Sequence, residues 1–167
     1  MRVRVDAALL FCVAILIGAA VPRLAGAQET TSVDWETPVL GPVRVLIDGI
    51  NSGDIPSVEA VLAPTATIVD EIPPFYWSGP GAYAKLMKDF DAVSKAQGTE
   101  EFVVRVISLD QVQATEQHGY VVLFADVMSR AKGVSSHVQG QFVISLQRLA
   151  GEWKIVHWSW AVSPQRS

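Results

Sequence analysis

Cysteine, histidine and charged side chains are scarce in this sequence. Its 167 residues include one cysteine and three histidines, and 18% of them are charged. A single cysteine excludes a disulfide framework, and three scattered histidines with no cysteine nearby exclude zinc-finger spacing. Hydrophobic residues make up 50% of the chain, which excludes an intrinsically disordered protein. The length suits one domain.

Much of the apolar character lies at the N-terminus. Two early arginines precede an uncharged run at residues 7–21, and small side chains occupy the positions that a signal peptidase reads. This pattern predicts a signal peptide over residues 1–27, with cleavage between Ala27 and Gln28, and therefore a secreted or periplasmic protein. The run is shorter than the roughly 20 apolar residues of a membrane span, so we expect no stable membrane anchor after cleavage. Cleavage also removes the single cysteine, Cys12.

The remaining chain is expected to hold one acidic domain. Residues 28–36 are predicted to be a flexible leader, residues 37–162 the domain, and residues 163–167 a short tail. Cleavage removes three arginines and one aspartate, which changes the net charge from −4 to −6. Because an acidic chain has no basic stripe to contact phosphates, nucleic acid is not expected as a partner.

Helical spacing dominates the first half of the domain. Apolar residues at 43, 46, 47 and 50 predict a helix from about residue 37 to Gly53. A short second helix is predicted from Pro56 to about Leu62. A third begins after Ser78, whose hydroxyl can cap it, and ends near Gly98. Between the last two, we predict a short strand at residues 66–70 and an aromatic loop at residues 75–77.

The second half is strand-like. Valine, isoleucine and aromatic residues dominate four segments, separated by turn residues, at 102–109, 120–128, 137–149 and 153–162. Helices followed by strands indicate an α+β domain, in which a curved antiparallel sheet of four to six strands is covered on one face by three N-terminal helices.

Four short motifs occur in a characteristic order. They are Ile50-Asn51-Ser52-Gly53-Asp54, the strand ending in Asp70, Trp77-Ser78-Gly79, and the hairpin Gly151-Glu152-Trp153-Lys154-Ile155. Together they resemble the nuclear-transport-factor-like superfamily, which includes SnoaL-like polyketide cyclases, ketosteroid isomerases and scytalone dehydratase. The resemblance covers residues 37–162 and implies a cystatin-like cone with an internal pocket. It also implies a homodimer formed through the outer face of the sheet.

The resemblance gives Asp70 a candidate role. Residues 51–87 match the ketosteroid isomerase pattern without a gap, and the catalytic aspartate of that pattern falls on Asp70. Strand alternation independently places Asp70 on the same face as Ala66 and Ile68. Burial there would raise its pKa and suit a general acid or base. The alternative is that Asp70 only caps the following turn through an Asx-type hydrogen bond.

The rest of the isomerase apparatus does not carry over. Its oxyanion hole needs a tyrosine and a protonated carboxylic acid. The tyrosine position is Leu46 here, and the strand near Val143 and Ser145 has no acidic residue. Ketosteroid isomerase activity is therefore not expected, and neither a cofactor nor a metal is implied.

The resemblance also implies which side chains line the pocket: Leu46, Ile68, Trp77, Tyr83, Met87, Trp158 and Trp160. By the family's register, the last strand turns Val156, Trp158 and Trp160 inward and His157 outward, and a one-residue slip would reverse this. An inward His157 would form an acid/base couple with Asp70, whereas an outward His157 would lie at the dimer face. The alternative for the tryptophans is that they simply fill the cone.

Three functional hypotheses follow. The first is a secreted protein that binds a small, largely apolar molecule in the cone, with Asp70 as the polar contact. The second is a cofactor-free lyase or isomerase that uses Asp70 as a general base. The third is an interaction or adaptor module that works through the exposed face of the sheet. The first two require a hollow cone, and the third tolerates a filled one.

Overall fold

The computed structural model describes residues 35–163. The predicted signal peptide with Cys12, its cleavage site, most of the leader and most of the tail lie outside the described residues. Trp35, at the end of the predicted leader, is half-buried and packs against the core. Within residues 35–163, no helix is long and apolar enough to cross a membrane.

The three helices lie in the first half of the domain, with two strands before the third helix, and four long strands follow, which confirms the α+β class. A short 3-10 turn at Pro38–Leu40 leads into the first helix. The elements are α1 (Gly41–Ser52), α2 (Ile55–Val61), β1 (Leu62–Val69), β2 (Tyr76–Ser78), α3 (Ala82–Gln97), β3 (Thr99–Ala114), β4 (His118–Ala131), β5 (Val134–Leu149) and β6 (Glu152–Val162).

The ends of the helices follow the chemistry of their residues. Gly53 and Gly98 end α1 and α3 in the left-handed conformation, with φ of 70° and 73°, where a side chain would be strained. Asp54 caps α2 by accepting a hydrogen bond from the amide of Ser57 at 3.1 Å. The cap expected from Ser78 is wrong, because α3 begins only after Gly81 and Ser78 belongs to β2.

The six strands form one curved sheet in the order β2-β1-β6-β5-β4-β3. Neighbouring strands are antiparallel except β1 and β6, which are parallel. β1 begins at Leu62, earlier than predicted, and tolerates Pro64 because β2 pairs only with residues 67–69 of it. The predicted aromatic loop is mostly the short strand β2.

The inner face of the sheet packs against the helices. Strand pairing aligns Val121 with Ile144 and Leu123 with Phe142, and all four side chains are buried. Val43 and Leu46 of α1, both fully buried, belong to the same core. These contacts leave the first helix with one buried and one exposed face, as its apolar periodicity predicts.

Asn51 fixes α1 to the edge strand β3. Its side-chain amide donates to the carbonyl of Val104 and accepts from the amide of Val104, each at 2.8 Å.

We expect Asn51→Ala to lower the free energy of unfolding by about 2 kcal/mol, since two backbone groups lose their partner. Urea denaturation measures this, with Ser52→Ala as the control, because the Ser52 hydroxyl bonds only to Asp48 within the helix. Equal losses in the two variants would contradict the role given to Asn51.

Candidate functional site

Asp70 follows β1 and continues the inner face of that strand. Ala66 and Ile68, on the same face, are 1% and 0% exposed, whereas Asp70 is half-buried. Its carboxylate Oδ1 accepts a hydrogen bond from the amide of Ile72 at 3.3 Å, which is the Asx-type turn expected from the sequence. Asp70 is therefore both a turn cap and a carboxyl group at the edge of an apolar interior.

The apolar setting changes the acidity of Asp70. Burial raises its pKa from the ordinary 3.8 to about 6, and the negative charge of Glu71 acts in the same direction. The amide of Ile72 opposes this effect without cancelling it. A carboxyl group with this pKa exchanges its proton near neutral pH, which suits either a polar contact or a proton-transfer group.

The predicted pocket residues meet in one cluster. Leu46, Ile68 and Tyr83 are 0% exposed, Trp158 is 2% exposed, and Met87 is half-buried beside them. Side chains with no exposed surface leave no space for water next to them. The deep part of the cone is therefore filled by its own side chains.

Aromatic packing closes this filled region. The ring of Phe142 lies 5.6 Å from Trp158 and 4.8 Å from Trp160, measured between ring centroids. Trp77 is also buried, and its indole N–H donates to Asp89 Oδ2 of α3 at 2.8 Å, which fixes β2 to that helix. The indole N–H of Trp77 is thus already used within the fold.

Solvent reaches the inner face of the sheet most readily at the end of β1, beside residues 159 and 160 of β6. Val69 pairs with Ser159, and the next residues along the two strands are Asp70 and Trp160. Trp160 is 9% exposed, and Ile72 packs against the core while remaining half-exposed. We call Asp70, Ile72 and Trp160 the rim of the cone. It combines one carboxyl group with apolar surface.

A β-bulge sets the facing of the last strand. Ser145 pairs with His157 and Leu146 with Ile155, so Val156 is an extra residue in β6. The bulge places Ile155 on the inner face together with Trp158 and Trp160. Val156, the extra residue, is half-buried and packs against the core, and the two tryptophans are buried inside as predicted.

His157 lies on the outer face of the sheet. Its Nδ1 is 2.8 Å from the hydroxyl oxygen of Thr67, its partner on β1. Because Thr67 and Ile68 point to opposite faces, His157 is not brought to Asp70. The alternative acid/base couple is therefore absent, and the outward register is the one observed.

Two features could not be predicted from the sequence. Asp126 is 3% exposed on the outer face, with its Oδ2 3.0 Å from Arg105 Nη2 and 3.4 Å from His137 Nδ1. No pattern in the sequence signals the burial of Asp126. Gly140, inside β5, lies against Trp160, and a glycine within a strand is a signal for such close approach. No group of three metal-ligating side chains occurs among residues 35–163.

Solved structures share this fold. A ketosteroid isomerase-like protein from Erwinia carotovora atroseptica matches with a TM-score of 0.59 and 17% identity, over 76% of this chain and 95% of that one. A hexachlorocyclohexane dehydrochlorinase matches with a TM-score of 0.64 and 10% identity, over 75% and 83%. An NTF2-like protein of unknown function from Pseudomonas putida KT2440 matches with a TM-score of 0.56 and 16% identity, over 72% and 80%.

Comparisons at the level of sequence are negative: no protein-family model and no curated protein matches this chain. The sequence identities of these three matches, 10% to 17%, are far below the level at which proteins share a function. The matches therefore establish the fold alone. Secretion and dimer formation through the sheet stay predictions.

Proposed function

Because this chain has the NTF2-like cone fold, we propose that it binds a small, largely apolar molecule at the rim of the cone, with Asp70 as the polar contact. The observation that carries the proposal is the position of Asp70, a half-buried carboxyl group that continues the inner face beside the fully buried Ile68. Binding sites of this kind combine an apolar wall with a few polar groups that orient the ligand.

The filled interior does not provide the hollow cone that this hypothesis required, so the proposed binding site is limited to the rim. Side chains deeper in the cone, such as Leu46 and Tyr83, have no exposed surface, so the rim is the accessible part of the inner face. Trp160, 9% exposed, leaves only a small part of its ring accessible there, and Asp70 offers a hydrogen-bond acceptor when ionised. A ligand that fits has an apolar body and a hydroxyl or amine donor.

A matched pair of probes tests this proposal. We expect 2-naphthol, which can donate to Asp70, to bind about tenfold more tightly than 2-methoxynaphthalene at pH 8, a difference of about 1.4 kcal/mol. Tryptophan fluorescence titration measures both affinities. Affinity for 2-naphthol should fall as the pH drops below about 6, because the protonated carboxyl group is a poorer acceptor.

Two variants complete this test. Asp70→Asn keeps the shape of the side chain and should remove both the preference for 2-naphthol and its pH dependence. Asp48→Asn is the control, because Asp48 is exposed and pairs with Arg44 on the outside of α1. A preference that survives in Asp70→Asn would exclude Asp70 as the contact.

Proton transfer is a second candidate function, favoured by the pKa of Asp70 near 6. A general base works best when its pKa is close to the working pH. An enolate would lack a stabilising donor, because no acid or tyrosine stands at Leu46, Val143 or Ser145.

Deuterium exchange at the carbon next to the carbonyl of 2-tetralone, followed by NMR, tests this function. Catalysis predicts exchange that accelerates with pH through about 6 and is lost in Asp70→Asn.

A further inference from the structure

Phe75 lies next to the rim, with its ring in solvent. Its backbone is in the left-handed region, with φ of 73°, which residues other than glycine rarely adopt. The ring is 55% exposed, although the carbonyl of Phe75 accepts a hydrogen bond from the amide of Asp70 at 3.3 Å. Strained backbone of this kind is concentrated at ligand clamps and switch segments of proteins. Phe75 therefore combines strain, an exposed apolar ring and direct contact with the candidate site.

The pairing of β1 with β2 shows where an extended Phe75 would place its ring. Trp77 of β2 is buried and its neighbour Tyr76 is exposed, as alternation along a strand requires. Continued by one residue, this alternation puts Phe75 on the inner face, opposite Asp70. The left-handed backbone breaks the alternation at Phe75, and the ring is in solvent instead. A change to extended backbone would bring the ring to the inner face beside the carboxyl group.

The hydrogen bonds of this ladder are half-formed at the same position. In an antiparallel ladder, every second pair of residues exchanges two hydrogen bonds. The bond from the amide of Gly79 to the carbonyl of Ala66 sets the phase, so Asp70 and Phe75 form such a pair. Only one of its two bonds is made, because the amide of Phe75 donates to the carbonyl of Ile72 at 2.7 Å. The ladder can therefore gain one regular pair if this amide changes its acceptor to the carbonyl of Asp70.

We propose that Phe75 is a lid on the rim: when a ligand binds at Asp70, Phe75 becomes extended, completes its pair with Asp70 and lays its ring on the ligand. This inference rests on the proposed function and adds to it a moving residue and a narrower ligand class. The lid supplies apolar surface that the rim lacks, because little of the Trp160 ring is accessible. A ring that stacks on the ligand favours a flat, aromatic body over an aliphatic one.

Asp70 explains why the lid is open in the absence of ligand. A ring that covers a carboxylate removes water from it, which is unfavourable unless another donor takes the place of water. The left-handed conformation of Phe75 avoids this loss of hydration and accepts backbone strain instead. A ligand hydroxyl that donates to Asp70 replaces the lost water, so ligand binding and lid closure favour each other.

Affinity in Phe75→Ala is the first readout. We expect this variant to bind 2-naphthol about tenfold more weakly than the parent, because the stacked ring is lost. The loss should be smaller for decahydro-2-naphthol, a saturated analogue that keeps the hydroxyl group. Tyr76→Ala is the matched control, since Tyr76 is the neighbouring aromatic residue, is 54% exposed and lies on the outer face. Circular dichroism checks that both variants fold, as expected for the removal of exposed rings.

The backbone conformation of Phe75 is the second readout. The Cα and Cβ chemical shifts of a residue distinguish left-handed from extended backbone, and the signals of Phe75 are assigned by their absence in Phe75→Ala. We expect left-handed values in the free protein and extended values in the protein saturated with 2-naphthol. A nuclear Overhauser effect between the Phe75 ring and the ligand should appear in the same complex.

The outcomes separate the lid from the site that it covers. Weaker binding in Phe75→Ala, together with extended signals of Phe75 in the complex, supports the inference. Affinity equal to that of the parent, or signals that stay left-handed, would overturn the lid, and the site would stand as long as binding still depends on Asp70. If 2-naphthol does not bind, or binds equally well to Asp70→Asn, the proposed function fails and the lid with it.

Discussion

Gly140→Ala is expected to destabilise the protein by about 3 kcal/mol, the upper end of the usual cost of overpacking. A β-carbon at this position would lie 2.4 Å from the carbonyl oxygen of Ala161 and 2.8 Å from two ring carbons of Trp160. The first contact is with backbone and cannot be relieved by a rotamer change. The second contact presses on an indole that forms part of the rim.

Chemical denaturation followed by circular dichroism measures this loss. The control is Gly41→Ala, because a β-carbon at the start of α1 meets no atom within 4 Å. A stability loss below 1 kcal/mol in Gly140→Ala, or an equal loss in Gly41→Ala, would show that β5 and β6 do not approach as described. Double substitution with Trp160→Leu should recover only part of the loss, since the clash with Ala161 remains.

Replacing Asp70 by asparagine should change how stability depends on pH. The folded-state pKa of about 6 lies above the ordinary 3.8, so between these values the folded protein keeps a proton that the unfolded chain has released. Stability contributed by Asp70 is thus fully present below pH 4 and is lost as the pH rises through about 6. At 1.36 kcal/mol for each pKa unit, the loss has an upper limit of about 3 kcal/mol, and partial solvent screening reduces it to about 2 kcal/mol.

Asp70→Asn removes this loss while keeping the oxygen that accepts from Ile72. We therefore expect the variant to be more stable than the parent at pH 8 and nearly equal to it at pH 4. Asp54 and Glu152 have lowered pKa values, which make stability rise with pH in both proteins. The effect of Asp70 is therefore read from the difference in stability between variant and parent at each pH. Urea denaturation at several pH values measures the difference, and a constant difference across this range would contradict the burial of Asp70.

Much of the fold could be predicted because local chemistry specifies it. Periodic apolar residues and a terminal glycine define α1, ending at Gly53 as observed, and Gly98 ends α3 as expected. The facing of Asp70 followed from alternation with Ala66 and Ile68 along one short strand. These signals act over a few residues and do not depend on the rest of the molecule.

Features that depend on distant parts of the chain were not predicted. The bulge at Val156 places Ile155 and Trp158 on one face, a choice made by packing against β5 and the helices rather than by alternation. The burial of Asp126 depends on Arg105 of β3 and His137 of β5, which are distant in the sequence. The starting point of α3 depends on the pairing of Ser78 with Thr67. The sequence also left open whether the tryptophans fill the cone, because a ring that lines a pocket and one that plugs it have the same pattern.

The proposed site depends on one carboxyl group that the fold holds in apolar surroundings at the rim of the cone. The most direct test is an NMR titration of carboxyl carbons in the protein, with the signal of Asp70 assigned by its absence in Asp70→Asn. We predict a pKa of about 6 for this group. A value near 3.8 would show that Asp70 is solvated like an ordinary surface aspartate, and would contradict the proposed site.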